Sequence, residues 1–107
     1  MQRWIFHCFL LLGMLPAIAQ TEGRVTVFES GKDGYASFRI PAIIKTPKGV
    51  LLAFCEGRKN GSADFGEIDI VLRQSSDQGK TWSPLQVVVK GNPQAGNPAP
   101  VLDRTDP

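Results

Sequence analysis

The chain is predicted to be all-β, an antiparallel meander of short strands, on three observations. Turn signals rich in Gly, Pro, Asn and Asp recur about every ten residues. The runs between them alternate apolar and polar residues. No stretch carries helical periodicity of useful length.

Each element follows from its residues. "RVTVFES" (24–30) sets Val25 and Val27 against Thr26 and Phe28, and "GKDG" (31–34) ends it, so it reads as the first strand. "FRIPAIIKT" (38–46) is the second, closed by "PKG" (47–49). Pro41 cannot donate to a ladder, which puts this strand at a sheet edge or a bulge. "VLLAFCEGR" (50–58) is the third, and "KNGSADFG" (59–66) is a polar loop. "EIDIVLRQSS" (67–76) alternates Ile68, Ile70 and Leu72 against Asp69, Val71 and Arg73. "DQGK" (77–80) makes a tight turn, and "LQVVVK" (85–90) is a further strand. In the tail "GNPQAGNPAPVLDRTDP" (91–107), "APVLDR" (99–104) reads as the start of another. Four or five strands leave sheet faces and edges uncovered, so the sequence reads as the front end of a longer protein.

The first 19 residues read differently. "MQRWIFHCFLLLGMLPAIAQ" has a cation at Arg3, an apolar run from Trp4 to Leu15, and small residues at Ala17 and Ala19. That is the order of a secretory signal peptide over 1–19, and the run is too short for stable membrane insertion. The folded domain is then expected over 24–107, secreted or periplasmic. Losing Arg3 takes the 12 basic side chains to 11 against 10 acidic, a balance with no pull toward nucleic acid or an anionic membrane. His7 and Cys8 leave with the signal, which removes any His-based triad or metal site. Cys55 then stands alone in the run "VLLAFC" and reads as a small buried hydrophobe. "NGS" (60–62) is a glycosylation sequon, relevant only in a host that uses it. No residue pattern calls for a metal, and no nucleotide fingerprint or other cofactor signature appears.

Two stretches carry more specific information. In "SSDQGKTW" (75–82), Asp77 can accept backbone N–H groups as in an Asx turn, and Gly79 can supply a positive φ. Ser75 and Thr81 can close the loop through their hydroxyls, with Trp82 packed beneath it. In "SFRIPAII" (37–44), Arg39 is a permanent cation inside an apolar run. Either it reaches solvent from an edge, or it waits for an anion.

The octapeptide resembles the Asp-box, or bacterial neuraminidase repeat, and "FRIP" (38–41) resembles the Phe/Tyr-Arg-Ile-Pro signature of sialidases. With "LLAFCEGR" (51–58) between them, the resemblance runs from about Val25 to Asp103. It implies a six-bladed β-propeller of four-stranded sheets in the full-length protein, of which this chain covers about the first blade and the entry to the second. It also implies an exo-α-sialidase, a retaining glycosidase releasing terminal sialic acid from sialylated glycoproteins, glycolipids or oligosaccharides. The alternative is a non-catalytic Asp-box propeller that binds sialosides or other glycans.

The resemblance also assigns residues. Arg39 is the first of three arginines that clamp the sugar's carboxylate, a task that suits a planar, permanently charged fork. Arg58 lines the pocket near the 4-hydroxyl. Asp64 is the general acid/base, which protonates the departing oxygen and then activates water, and a partly desolvated pocket is expected around it. Asn97, in "AGNPAP" (95–100), matches a further polar pocket residue. Glu67 and Asp69 are rival carboxylates, Asp69 reading as structural because it alternates away from Ile68 and Ile70. Tyr35 is left unassigned, because the family's tyrosine nucleophile and its glutamate come late in the chain.

Overall fold

The computed structural model describes residues 23–105, so the leader segment and the signal reading lie outside the described residues. Four strands form one antiparallel sheet in the order β1-β2-β3-β4. They are β1 (Ser37–Lys45), β2 (Leu51–Arg58), β3 (Ile68–Ser75) and β4 (Gln86–Val89). The meander is therefore all-β, as the turn spacing predicts. Among the described residues no helix is long and apolar enough to cross a membrane.

β1 and β4 are the edges of this sheet, and Pro41 sits where both of its expected conditions are met. β1 is an edge, and its register against β2 shifts between Arg39 and Ala42. Three steps on β1 face two on β2, so one residue is extra, which is a β-bulge. β2 and β3 pair without a slip from Leu51↔Ser75 to Arg58↔Ile68.

Two expected strands are absent. Residues 24–30 form no strand, although their alternation suits one. A strand exists only through ladder bonds, and here the chain instead enters turns, with Lys32 N–H donating to Glu29 O at 3.1 Å and Tyr35 N–H to Lys32 O at 3.1 Å. Phe28 is drawn onto Phe38, ring centroids 5.3 Å apart. Residues 99–104 also form no strand; Val101 is exposed, and no ladder partner stands beside the segment among the described residues.

One face of the sheet holds the core. Tyr35, Cys55 and Val71 are buried together, with Phe28, Phe38 and Leu85 packed against them. The Tyr35 ring lies directly over Gly57, where an added Cβ would meet two ring carbons at 2.7 Å. Gly57 is thus a glycine within β2 because an aromatic ring occupies its side-chain space. The ring is held there by its hydroxyl, which donates to Asp69 Oδ2 at 2.7 Å. Gly57→Ala is expected to destabilise the protein by about 1–3 kcal/mol through overpacking. The shift would be read in thermal unfolding, and a simultaneous Tyr35→Ala should relieve the clash while leaving its own cavity.

The 75–82 loop closes as its residues predict. Asp77 Oδ1 accepts from Thr81 N–H at 2.9 Å and from the Ser75 hydroxyl at 2.8 Å. Asp77 Oδ2 accepts the Thr81 hydroxyl, and Gly79 N–H donates to Ser75 Oγ at 2.8 Å. Gly79 has φ +86°, and Trp82 Nε1–H donates to Gly79 O at 3.1 Å. The Thr81 hydroxyl, then the Thr81 amide and the Ser75 hydroxyl, lower the Asp77 carboxyl from its ordinary 3.8 to about 2. A depressed carboxyl stabilises the fold fully above the unfolded value and loses that contribution as pH falls through the folded one. The loop is therefore expected to stay closed down to about pH 4 and to open between about pH 4 and 2. An acid titration of Trp82 fluorescence checks this, and Asp77→Asn should flatten that limb.

Candidate active site

The sequence singles out Arg39, Arg58, Asp64 and Asn97, and two strands and two loop segments bring them to one end of the sheet. Arg39 stands opposite Glu56 in the β1–β2 register, and Ser37 stands opposite Arg58. Directly opposed residues share a face, as do positions two apart on a strand, so Arg39, Glu56 and Arg58 belong to the same face.

Arg39 lies at the bulge. The next residue, Ile40, has φ +57°, a left-handed conformation that a β-branched residue adopts at a cost of about 1–3 kcal/mol. Pro41 follows, with no N–H to give. The Arg39 carbonyl accepts from the Cys55 thiol at 3.0 Å. Cys55 is thus buried, as expected, and is also a donor to the bulge. Burial, the largest influence, pushes its thiol up to about 11, which keeps the proton in place. The Arg39 side chain is exposed, and among the described residues no carboxylate pairs with it.

Arg58 is the opposite case. It is 3% exposed and nearly saturated with acceptors. Its Nε–H and one Nη2–H both donate to Glu56 Oε2, at 2.9 and 2.6 Å. Its Nη1 donates to Ser62 O at 2.6 Å and to Asp64 Oδ1 at 2.9 Å. The hydrogen-bonded Glu56 carboxylate outweighs burial and holds the guanidinium above its ordinary range, so Arg58 is permanently charged. A charge this deep is tolerated because a buried carboxylate, Glu56 at 4% exposure, neutralises it.

Asp64 is fixed at both ends of the residue. Its carboxylate meets Arg58, and its carbonyl accepts from Gln94 Nε2 at 3.0 Å. The side chain is 83% exposed. The desolvated enclosure expected around it is therefore not supplied by the described residues. Asn97 joins through its backbone: its N–H donates to Glu56 Oε1 at 2.9 Å, and its φ of +54° is one that Asn tolerates. The 92–97 segment is steered there by Ile68 N–H donating to Pro93 O at 3.3 Å and by Ala95 N–H donating to Ile68 O at 2.9 Å.

The rival carboxylates separate cleanly. Asp69 is buried and accepts from the Tyr35 hydroxyl and from Gly91 N–H at 2.9 Å. Burial pushes its carboxyl up, but those two bonds with Lys59 and Lys90 outweigh it and leave it below the ordinary value. It is a structural residue. Glu67 is exposed and lies 3.9 Å from Lys59 Nζ. Tyr35 is also committed: burial, then the bond to Asp69, pushes its hydroxyl well above the usual phenol range. A groove of about 960 Å³ lies at the other end of the strands, lined by Leu52, Leu72 and Leu102. Its aliphatic lining fits packing, not acid–base work.

Comparison with known proteins agrees with this frame. No protein-family model matches the chain. It is 42% identical over 77 residues to an exo-alpha-sialidase of Aspergillus fumigatus, covering 65% of this chain and 19% of that protein. It is 40% identical over 78 residues to a sialidase of Micromonospora viridifaciens, covering 73% of this chain and 11% of that one. The sheet superposes on the solved structure of Hadza microbial sialidase Hz136 with a TM-score of 0.54 at 37% identity, covering 55% of this chain and 12% of that one. The chain belongs to the sialidase family. The chain spans less than a fifth of the length of the curated relatives it matches.

Glu56 is the member of this cluster that the sequence reading missed. A signal was available: in "EGR" (56–58) the acid and the arginine are two apart on one strand, so both point to one face. That spacing places the two on one face, and the tertiary structure pairs them.

Proposed function

We propose that this chain contributes the carboxylate-binding and acid/base part of an exo-α-sialidase acting with retention on terminal sialic acids of glycoproteins, glycolipids or oligosaccharides. The observation that carries the reading is the contrast between its two arginines. Arg58 is neutralised by Glu56, whereas Arg39 is exposed on the same face and makes no ion pair among the described residues. An arginine fork without an ion-pair partner, on the face that holds the Arg58–Asp64 pair, suits a sugar acid, whose own carboxylate supplies that partner.

In this proposal Arg39 binds the sugar carboxylate and Arg58 offers its remaining N–H to a neutral group of the ring. Asp64 gives its proton to the glycosidic oxygen as the anomeric C–O bond breaks and a nucleophile's oxygen bonds to carbon. Water then attacks that carbon, Asp64 takes a proton from it, and the nucleophile leaves. The nucleophile is not Tyr35, whose hydroxyl is buried and bound to Asp69. The same proposal makes the four-stranded sheet one blade of a six-bladed Asp-box propeller. It also makes residues 1–19 a cleaved export signal.

The test is incubation of the full-length protein with a sialyl-lactose and direct observation of the released sugar by NMR. Release with the α-anomer formed first supports the reading. Binding without release points instead to a non-catalytic, glycan-binding propeller, and neither binding nor release overturns both.

A further inference from the structure

Glu56 sits where two parts of the candidate site meet. Its Oε2 takes two N–H groups of Arg58, and its Oε1 takes the backbone N–H of Asn97. The tail segment approaches so closely that a Cβ on Gly96 would stand 2.8 Å from Oε1. In the ladder Glu56 also stands directly opposite Arg39. The side chain is buried, and each of its oxygens is occupied by a donor from a different segment of the chain.

We propose that Glu56 is the positioning residue of this site, one carboxylate fixing both Arg58 and the Asn97 segment against the acid-bearing loop. The inference rests on the sialoside reading above for its catalytic consequence, but not for its structural core. Both partners of Glu56 are donors, so both of its oxygens must be acceptors. Arg58 in turn carries Asp64 at 2.9 Å, so the orientation of the acid passes through Glu56. Neutralised by Glu56, Arg58 is a hydrogen-bond donor to an uncharged group of the sugar, and the anion is left to Arg39.

The decisive variant is Glu56→Gln. Glutamine keeps the shape but has one acceptor oxygen and one NH₂, so the NH₂ must face either Arg58 or the Asn97 amide, donor against donor. One of the two segments has to release. In the full-length protein, kcat/KM for a sialyl-lactose should fall about 10- to 100-fold, the scale of one charge-assisted hydrogen bond. By NMR, either the Arg58 Nε–H resonance should move or the Asn97 amide should lose its protection from exchange. Glu56→Asp, which retracts both oxygens by one methylene, should weaken both signatures together.

Wild-type protein gives a second readout that needs no variant to fold: both the Arg58 Nε–H and the Asn97 amide should be slow to exchange. Free exchange of either one in the wild type overturns the proposal. So does a Glu56→Gln protein with both signals unmoved and kinetics within twofold. If the wild type neither binds nor cleaves sialosides, the functional reading fails, and the two NMR signatures still decide the role of Glu56.

Discussion

Asp64→Asn is expected to lower turnover of a sialyl-lactose by about 10²–10⁴-fold, the usual contribution of a positioned general acid. Asparagine keeps the size of the side chain and can still accept from Arg58 Nη1, which now lies 2.9 Å from Asp64 Oδ1. It cannot give or take the proton. The side chain is 83% exposed, so the substitution should leave the thermal midpoint nearly unchanged. The defect should depend on the leaving group. A sugar alkoxide must be protonated as it departs, whereas a nitrophenolate leaves readily without help. The loss should therefore be far smaller with a nitrophenyl sialoside, and an equal loss on both substrates would assign Asp64 a role in shaping the loop instead of in proton transfer.

The second large effect belongs to Arg39. Arg39→Ala should reduce kcat/KM for sialosides on the order of 10²-fold or more, since two charge-assisted hydrogen bonds disappear together. Arg39→Lys keeps the charge but not the fork and should recover only part of that loss. Because Arg39 is exposed and unpaired among the described residues, both variants should fold as well as the wild type. Binding of free sialic acid, followed by calorimetry at two salt concentrations, separates the outcomes. Wild-type affinity should weaken with salt, and Arg39→Ala should abolish most of that dependence. If Arg39→Ala binds as the wild type does, the exposed guanidinium is not the carboxylate site.

Some of this architecture was legible residue by residue. Strands β1 to β4 appear where alternation and turn signals put them, because both signals are local. The 75–82 loop was legible for the same reason: Ser75, Asp77, Gly79 and Thr81 bond to one another within a few positions of chain. The bulge at Pro41 also follows from one residue's missing N–H. Residues 24–30 misled because alternation states only that a strand could be half-buried. Whether a ladder forms depends on a neighbour that the segment itself cannot specify.

The sequence by itself determined the meander of β1 to β4 and the closed polar loop. Those depend on backbone propensity, side-chain period and short-range hydrogen bonds. Only the tertiary structure gave these carboxylates their partners, sending Asp69 to Tyr35 and Gly91 and Asp64 to Arg58. Only it showed that Arg58 is neutralised while Arg39 is not, and that a buried Glu56 ties β2 to Asn97, 41 residues along the chain. The reason is physical. The state of a charged group is set by its burial and by whichever partner lies within hydrogen-bond reach, and across strands that partner is chosen by register and packing.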